Sequence, residues 1–127
     1  MAKALVIAAP SSGCGKTVIT LGLLRALRHR GLRVASAKVG PDYIDPQFHA
    51  LAARRPGVNL DPWAMRASTR AALLAEAGRD AELALVEGVM GLFDGVDALG
   101  NASTATLALE LGWPVVLVVD ARGMAAS

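Results

Sequence analysis

Gly13, Gly15, Lys16 and Thr17 stand together in "APSSGCGKTV", directly after a short apolar run. Small residues followed by Gly-Lys-Thr are a phosphate-binding combination. Glycines let the backbone wrap closely around phosphate oxygens, the lysine neutralises the terminal phosphates, and the threonine hydroxyl holds Mg2+. In the full pattern, G-x-x-x-x-G-K-[ST], the first glycine falls where this chain has Pro10. Pro10 can still make the turn if the strand exits in an extended conformation. Ser12, Gly13, Cys14, Gly15, Lys16 and Thr17 are therefore the expected nucleotide-binding residues, with the phosphates of a nucleotide and Mg2+ as ligands. Cys14 lies between two glycines in a loop whose backbone is wanted for phosphate, so it reads as a small loop residue rather than a nucleophile.

Metal-nucleotide chemistry needs carboxylates nearby. Two apolar stretches end in an acid, Leu83–Glu87 and Val115–Asp120, and parallel sheets build sites at the carboxyl ends of strands. Glu87 is favoured because it leads into "GVMGLFDG", a glycine-rich loop that can bend over a ligand and carries a second acid, Asp94. "KVGPDYIDPQFH" adds Lys38 at a strand end, with Asp42 and Asp45 flanking Tyr43 and Ile44. A lysine, two carboxylates and an aromatic residue on one loop describe a site for an anionic substrate beside a metal nucleotide. Asp45-Pro46 is also a helix N-cap signal, and capping and metal ligation need not exclude one another. His29 and His49 are isolated and do not read as a metal site. Trp63 and Trp113 read as packing residues at element boundaries.

These side chains need elements to position them. Buried strands are expected at Lys3–Ala9, Leu32–Val39, Ala81–Glu87 and Pro114–Asp120. A helix runs through "KTVITLGLLRALRHRG". Val18, Ile19, Leu21, Leu23, Leu24 and Leu27 predict that its first half is well buried. Arg25, Arg28, His29 and Arg30, followed by Gly31, suit its C-terminus. A short helix follows Asp45-Pro46, and Asp61-Pro62 repeats that signal before Trp63. Another helix opens near Ser68 and runs to Gly78, and "NASTATLALELG" is a helix ending at Gly112. Strands alternating with helices predict right-handed crossovers and an α/β fold, a P-loop NTPase-type parallel sheet flanked by helices.

Bulk properties agree. The 127 residues suit one domain, 54% hydrophobic and only 4% aromatic, as in a sheet covered by helices. A net charge of +2 exerts no strong pull toward nucleic acid or anionic membrane. The single Cys14 excludes an internal disulfide and fits a reducing cytosol. No run approaches the roughly 18 apolar residues of a membrane span. Lys3 with "ALVIAAP" superficially resembles a signal peptide, and Gly13-Cys14 the end of a lipoprotein box. Only Ala4–Ala9 precede Pro10, however, and Ser11 stands where an apolar residue would be needed. A first strand fits better. The chain stops at Ser127, where another helix should begin, so it reads as a fragment of a longer protein.

Taken together, "APSSGCGKT", "KVGPDYIDPQFH", "NLDPW" and "VEGVMGLFDG" resemble the N-terminal half of cobyrinic acid a,c-diamide synthases. The segment around Asp42 to His49 is the specific one. The resemblance implies the fold of dethiobiotin synthetases, with residues 1–127 as the N-terminal part of an ATP-binding amidoligase domain. It also implies a C-terminal class I glutamine amidotransferase domain that these residues do not contain. The implied reaction is ATP-dependent amidation of the a and c carboxylates of cobyrinic or hydrogenobyrinic acid through an acyl phosphate, with ammonia from glutamine, in cobalamin biosynthesis. By match to the family motifs, Lys16 and Lys38 would neutralise the transferring phosphoryl group. Thr17, Asp45, Glu87 and Asp94 would be the Mg2+-side ligands, and Asp42, Tyr43 and Ile44 would face the tetrapyrrole carboxylate. The implied partners are a corrin-type tetrapyrrole and glutamine-derived ammonia, in the cytoplasm, without nucleic acid or membrane; a homodimer is compatible with this. Nickel-sirohydrochlorin a,c-diamide synthases are similar throughout this region. Partition-type switch ATPases share the loop but carry an extra lysine five positions before the loop lysine, where this chain has Ser11.

Overall fold

A computed structural model describes residues 2–125. Its elements alternate: β1 (Lys3–Ala8), α1 (Lys16–His29), β2 (Val34–Val39), α2 (Asp45–Ala53), β3 (Val58–Leu60), α3 (Ala67–Ala77), β4 (Leu83–Glu87), α4 (Thr104–Leu111) and β5 (Val115–Leu117). The strands form one five-stranded sheet in the order β3-β2-β4-β1-β5, and every neighbouring pair is parallel. The expected α/β architecture is present.

Alternation along the strands gives the sheet two faces. Val6 and Ala8 of β1, Ala35, Ala37 and Val39 of β2, and Ala84 and Val86 of β4 share one core with Leu74 of α3 and Leu107 and Ala108 of α4. Val34 of β2 and Leu85 of β4 share the other with Leu24 of α1 and Ala53 of α2. Many of these core residues are alanine or valine, which lets helices lie close to the sheet. Continuing the second face toward the carboxyl ends of the strands, the next residues are Ser36, Lys38 and Glu87. The polar site therefore extends the α1/α2 side of the core.

Several expectations need correction. Four strands were expected, and the described residues form five. The extra one, β3, is three residues long, too short to show a period, and pairs with the outer edge of β2. The first half of α1 is not well buried. Lys16, Thr20 and Leu24 are its buried residues, one every four, while Val18 is 72% exposed and Ile19 is also exposed. One stripe of α1 faces the sheet, with Leu23 and Leu27 packed partly buried beside it, while Val18 and Ile19 face outward. The apolar run at Pro114–Asp120 forms only a three-residue strand at the sheet's edge, with Val115, Val116 and Leu117 exposed. The helix expected near Ser68 is present, running from Ala67 to Ala77 with Gly78 as its C-cap and no side chain capping its start. Ser103, by contrast, caps α4, accepting the Thr106 N–H at 3.2 Å. Trp113 packs on the first core, but Trp63 is exposed and packs on neither core. The helix expected near Ser127 lies outside the described residues. No helix among the described residues is long and apolar enough to cross a membrane.

Candidate functional site

The loop from Pro10 to Gly15 joins the end of β1 to the start of α1. Gly13 and Gly15 hold φ of 78° and 86°, the left-handed region that glycine enters without strain. A Cβ at either would meet open space, so these positions need glycine for its backbone and not for clearance. Gly15 is the N-cap of α1, no side chain caps this end, and no acid occupies its first turn. The unpaired N–H groups and positive dipole end are left for an anion. Lys16 is buried and pairs with no carboxylate among the described residues. Burial, and then repulsion from Lys38, hold its pKa below the ordinary lysine value.

Pro10 has a role of its own. The segment after β4 runs back along the exit of β1. Gly88 N–H donates to the Ile7 carbonyl and Leu92 N–H to the Ala9 carbonyl, both at 2.7 Å. Gly91 lies so close that a Cβ there would stand 2.5 Å from the Pro10 carbonyl oxygen. The glycines of this loop therefore let it pack against the phosphate loop. Asp94 completes the turn by accepting the Gly91 N–H at 2.8 Å.

Lys38 is the hub of the site. Its ammonium donates to Glu87 Oε2 at 2.5 Å and to the Gly88 carbonyl at 3.1 Å. It lies 3.0 Å from Asp45 Oδ2 and 3.9 Å from Asp42 Oδ2. Asp45 Oδ2 in turn accepts from the Thr17 hydroxyl at 3.4 Å, which joins this cluster to the phosphate loop. Burial works to lower the Lys38 pKa, but Glu87 and Asp45 outweigh it and raise it above the usual value. Glu87 is fully buried. Burial alone would push its carboxyl up, yet His49 and Lys38 hold it down at about 2. Of the two, Lys38 makes the direct contact at 2.5 Å, while His49 acts from 3.8 Å, too long for a hydrogen bond in this arrangement. Asp45 moves the other way. Its burial and the nearby Glu87 charge raise it against the pull of Lys38.

Asp45 does not cap its helix. Ile44 is the N-cap of α2, without a side-chain cap bond. Asp42 satisfies the helix start instead: its Oδ1 accepts the N–H of Ile44 at 2.8 Å and of Asp45 at 2.9 Å. Burial would raise the Asp42 carboxyl, but these two N–H groups pull it below its ordinary value. Asp45 is thereby free to face Lys38 and Thr17.

The structure thus joins Lys38, Asp42, Asp45, Glu87 and Thr17 in one chain of contacts, with Lys16 beside it. Tyr43 and Ile44 are exposed on the loop at its rim. Asp94 stands apart, since none of its hydrogen bonds reaches Lys38, Asp45 or Glu87. Ser12, Gly13 and Cys14 line a cavity of about 770 Å³ with Pro10, Val119 and Asp120. Asp120, the other acid expected at a strand end, lies three residues past the end of β5 and is paired with Arg122. Sequence reasoning missed His49. It is fully buried, neither ring nitrogen has a hydrogen-bond partner, and the same is true of Glu87 Oε1. The available signal was its spacing: His49 lies four residues after Asp45, on the same face of α2.

The donors fit a hard cation. Thr17, Asp45 and Glu87 offer only oxygen, and Glu87 Oε1 is a buried acceptor without a partner. Mg2+ typically takes one or two carboxylates with phosphate oxygens and water. That fits a site where, among the described residues, no group of three or more His, Cys, Asp or Glu side chains is arranged to hold a metal ion by itself.

Comparison with known proteins gives a consistent picture. The profile of the CbiA family, described as the CobQ/CobB/MinD/ParA nucleotide binding domain, matches residues 5–122. A hydrogenobyrinate a,c-diamide synthase of Rhizobium meliloti is 56% identical over 116 residues, 91% of this chain and 27% of that protein. One from Rhodobacter capsulatus is 54% identical over 128 residues, covering 98% of this chain and 29% of that protein. A cobyrinate a,c-diamide synthase of Syntrophotalea carbinolica is 55% identical over 124 residues, 97% of this chain and 27% of that protein. The chain spans between a quarter and a third of the length of these relatives.

Proposed function

The chain belongs to the CobQ/CobB/MinD/ParA nucleotide-binding domain family, and from that premise we propose that it is the ATP-binding part of an a,c-diamide synthase acting on hydrogenobyrinic or cobyrinic acid. The observation that carries this reading is the contact chain from the phosphate loop through Thr17 and Asp45 to the buried Lys38–Glu87 pair. It supports the reading because cationic and acidic groups would then stand beside the terminal phosphates, next to the loop bearing Asp42, Tyr43 and Ile44.

In the proposed reaction a substrate carboxylate oxygen attacks the γ-phosphorus of ATP, and the bond to ADP breaks. Ammonia, released from glutamine by the remainder of the full-length protein, then attacks the acyl phosphate. Phosphate leaves with the bonding pair, the nitrogen loses a proton, and an amide remains. A carboxylate is a poor electrophile, and phosphorylation supplies its leaving group. Such transfers depend on positioning and charge neutralisation. Lys16 and Lys38 supply positive charge, and lysine suits phosphate as a point charge. Thr17, Asp45 and Glu87 would hold Mg2+, with Asp94 serving through water. The metal would neutralise phosphate charge. Asp42, Tyr43 and Ile44 would meet the tetrapyrrole. The cytoplasm, where ATP is available, is the proposed compartment.

The test is to incubate full-length protein with ATP, Mg2+ and glutamine, offering hydrogenobyrinic acid, cobyrinic acid and nickel-sirohydrochlorin separately. Mass spectrometry counts the amides. Two new amides on either corrin acid, lost with Lys16→Ala, are expected. Amides on nickel-sirohydrochlorin alone would reassign the substrate. Bound ATP with no amide on any of them would overturn the ligase reading.

A further inference from the structure

The proposed reaction asks Lys38 to be in two places. In the structure its ammonium lies between Asp45 and Glu87, where a metal would share the same carboxylates. To meet a phosphoryl group it must leave Glu87. Glu87 is fully buried and has no water to turn to. A buried carboxylate stripped of its partner is strongly unfavourable unless another donor takes over. The side chain in place to do so is His49. Its Nε2 stands 3.8 Å from Glu87 Oε2, both ring nitrogens are buried without partners, and so is Glu87 Oε1. Closing this gap by about 1 Å gives an ordinary hydrogen bond.

We propose that His49 is a positioning residue, whose Nε2–H holds the Glu87 carboxylate when Lys38 moves to the phosphate, keeping the other carboxylate oxygen turned toward the metal. The inference rests on the nucleotide-and-metal reading above. Packing alone does not explain a histidine here, because a leucine or phenylalanine would fill the space without orphaning two nitrogens. The helix geometry is also suited to it. Asp45 and His49 lie one turn apart on α2, so the helix that brings one metal-side carboxylate also brings the clamp for the other. Carboxylates that bind metals are commonly fixed in this way by a second hydrogen bond.

The experiment compares full-length wild type, His49→Phe and His49→Gln, the last retaining a donor near the Nε2 position. A fluorescent ATP analogue is titrated with and without Mg2+, and thermal unfolding is followed in parallel. In His49→Phe the Mg2+-dependent gain in nucleotide affinity should fall on the order of 10–100-fold, with metal-free binding unchanged. His49→Gln should restore most of that gain. A merely structural histidine would shift metal-free binding and melting together, and Gln would not rescue selectively. A His49→Phe protein with the full Mg2+ response overturns the inference and leaves the nucleotide reading standing. A wild type that binds no nucleotide removes both. If His49→Phe does not fold, 15N-histidine NMR of the wild type decides, with His49 assigned by its absence in His49→Gln. A shift of the Nε2 resonance on adding Mg2+ and nucleotide supports the clamp, and an unmoved resonance overturns it.

Discussion

Lys38 and Glu87 are register partners on the neighbouring parallel strands β2 and β4, and their side chains meet at 2.5 Å, Lys38 buried and Glu87 fully so. Directly paired positions in a sheet point to the same face, so the backbone register itself imposes this contact. It sits where the α1/α2 core ends and the phosphate loop begins. A buried pair of this kind adds little net stability, while removal of one partner is costly.

Lys38→Met should therefore destabilise the protein by about 3–5 kcal/mol, because Glu87 would be left buried and charged beside Asp45. Adding Glu87→Gln to Lys38→Met should recover a large part of the loss. Urea unfolding of the two variants and of Glu87→Gln alone forms a double-mutant cycle. If the double variant were as unstable as Lys38→Met, the pairing would not be the source of the cost.

The same pair sets an acid limit. The Glu87 carboxyl titrates at about 2 in the folded chain, against an ordinary value of 4.5. A depressed carboxylate contributes stability that is fully present above the unfolded pKa and is lost as pH falls through the folded one. Unfolding free energy should drop between about pH 4.5 and pH 2. Glu87→Gln should flatten this limb, and equal slopes in the two proteins would contradict the assignment.

Lys16 behaves oppositely. Its ammonium is buried next to another cation and pairs with no carboxylate among the described residues. Lys16→Met keeps the apolar stem and removes an unpaired charge, so stability should hold or rise by up to about 1 kcal/mol. Nucleotide affinity should fall at least tenfold by the loss of a phosphate contact worth about 1.5–3 kcal/mol. Calorimetric titration with ATP and a melting curve read the two effects separately. A variant that lost stability and kept its affinity would show that Lys16 serves the fold.

Much of this was legible in the sequence. The phosphate loop announced itself by residue type, and strand alternation put Lys38 and Glu87 at strand ends. What stayed hidden depended on three-dimensional register. No local pattern says that β4 lies between β2 and β1, which is what joins Lys38 to Glu87. β3 is too short to carry a period. Val18 and Ile19 read as core because hydrophobicity was summed along α1, whereas the side that meets the sheet is the Lys16–Thr20–Leu24 stripe with Leu23 and Leu27 beside it. His49 looked isolated because the carboxylate it faces, Glu87, lies on another element. Asp45 was expected to cap α2 because Asp-Pro is a cap signal, but Asp42 reaches the same N–H groups from three residues earlier.

Gly91 is a place where one atom matters. A Cβ there would lie 2.5 Å from the Pro10 carbonyl oxygen and 2.8 Å from Asp94 Oδ2. Backbone cannot yield as a flexible side chain can. Gly91→Ala should cost about 1–3 kcal/mol and weaken nucleotide binding by displacing the phosphate loop. Unchanged ATP affinity would show that the two loops move independently.

Asp42 uses its two carboxylate oxygens differently, which allows its roles to be separated. Oδ1 accepts two N–H groups at the start of α2, and Oδ2 lies toward Lys38. Asp42→Asn keeps an oxygen for the cap and removes the charge; Asp42→Ala removes both. Melting should therefore stay near wild type in Asp42→Asn and fall by about 1 kcal/mol in Asp42→Ala. Amide formation should drop in both, because the proposed contact with substrate and Lys38 depends on the charged oxygen. Full turnover in Asp42→Asn would mean that Asp42 acts only through α2, by fixing the helix that carries Asp45 and His49. Substrate recognition on this loop would then fall to Tyr43 and Ile44, which stand exposed beside it.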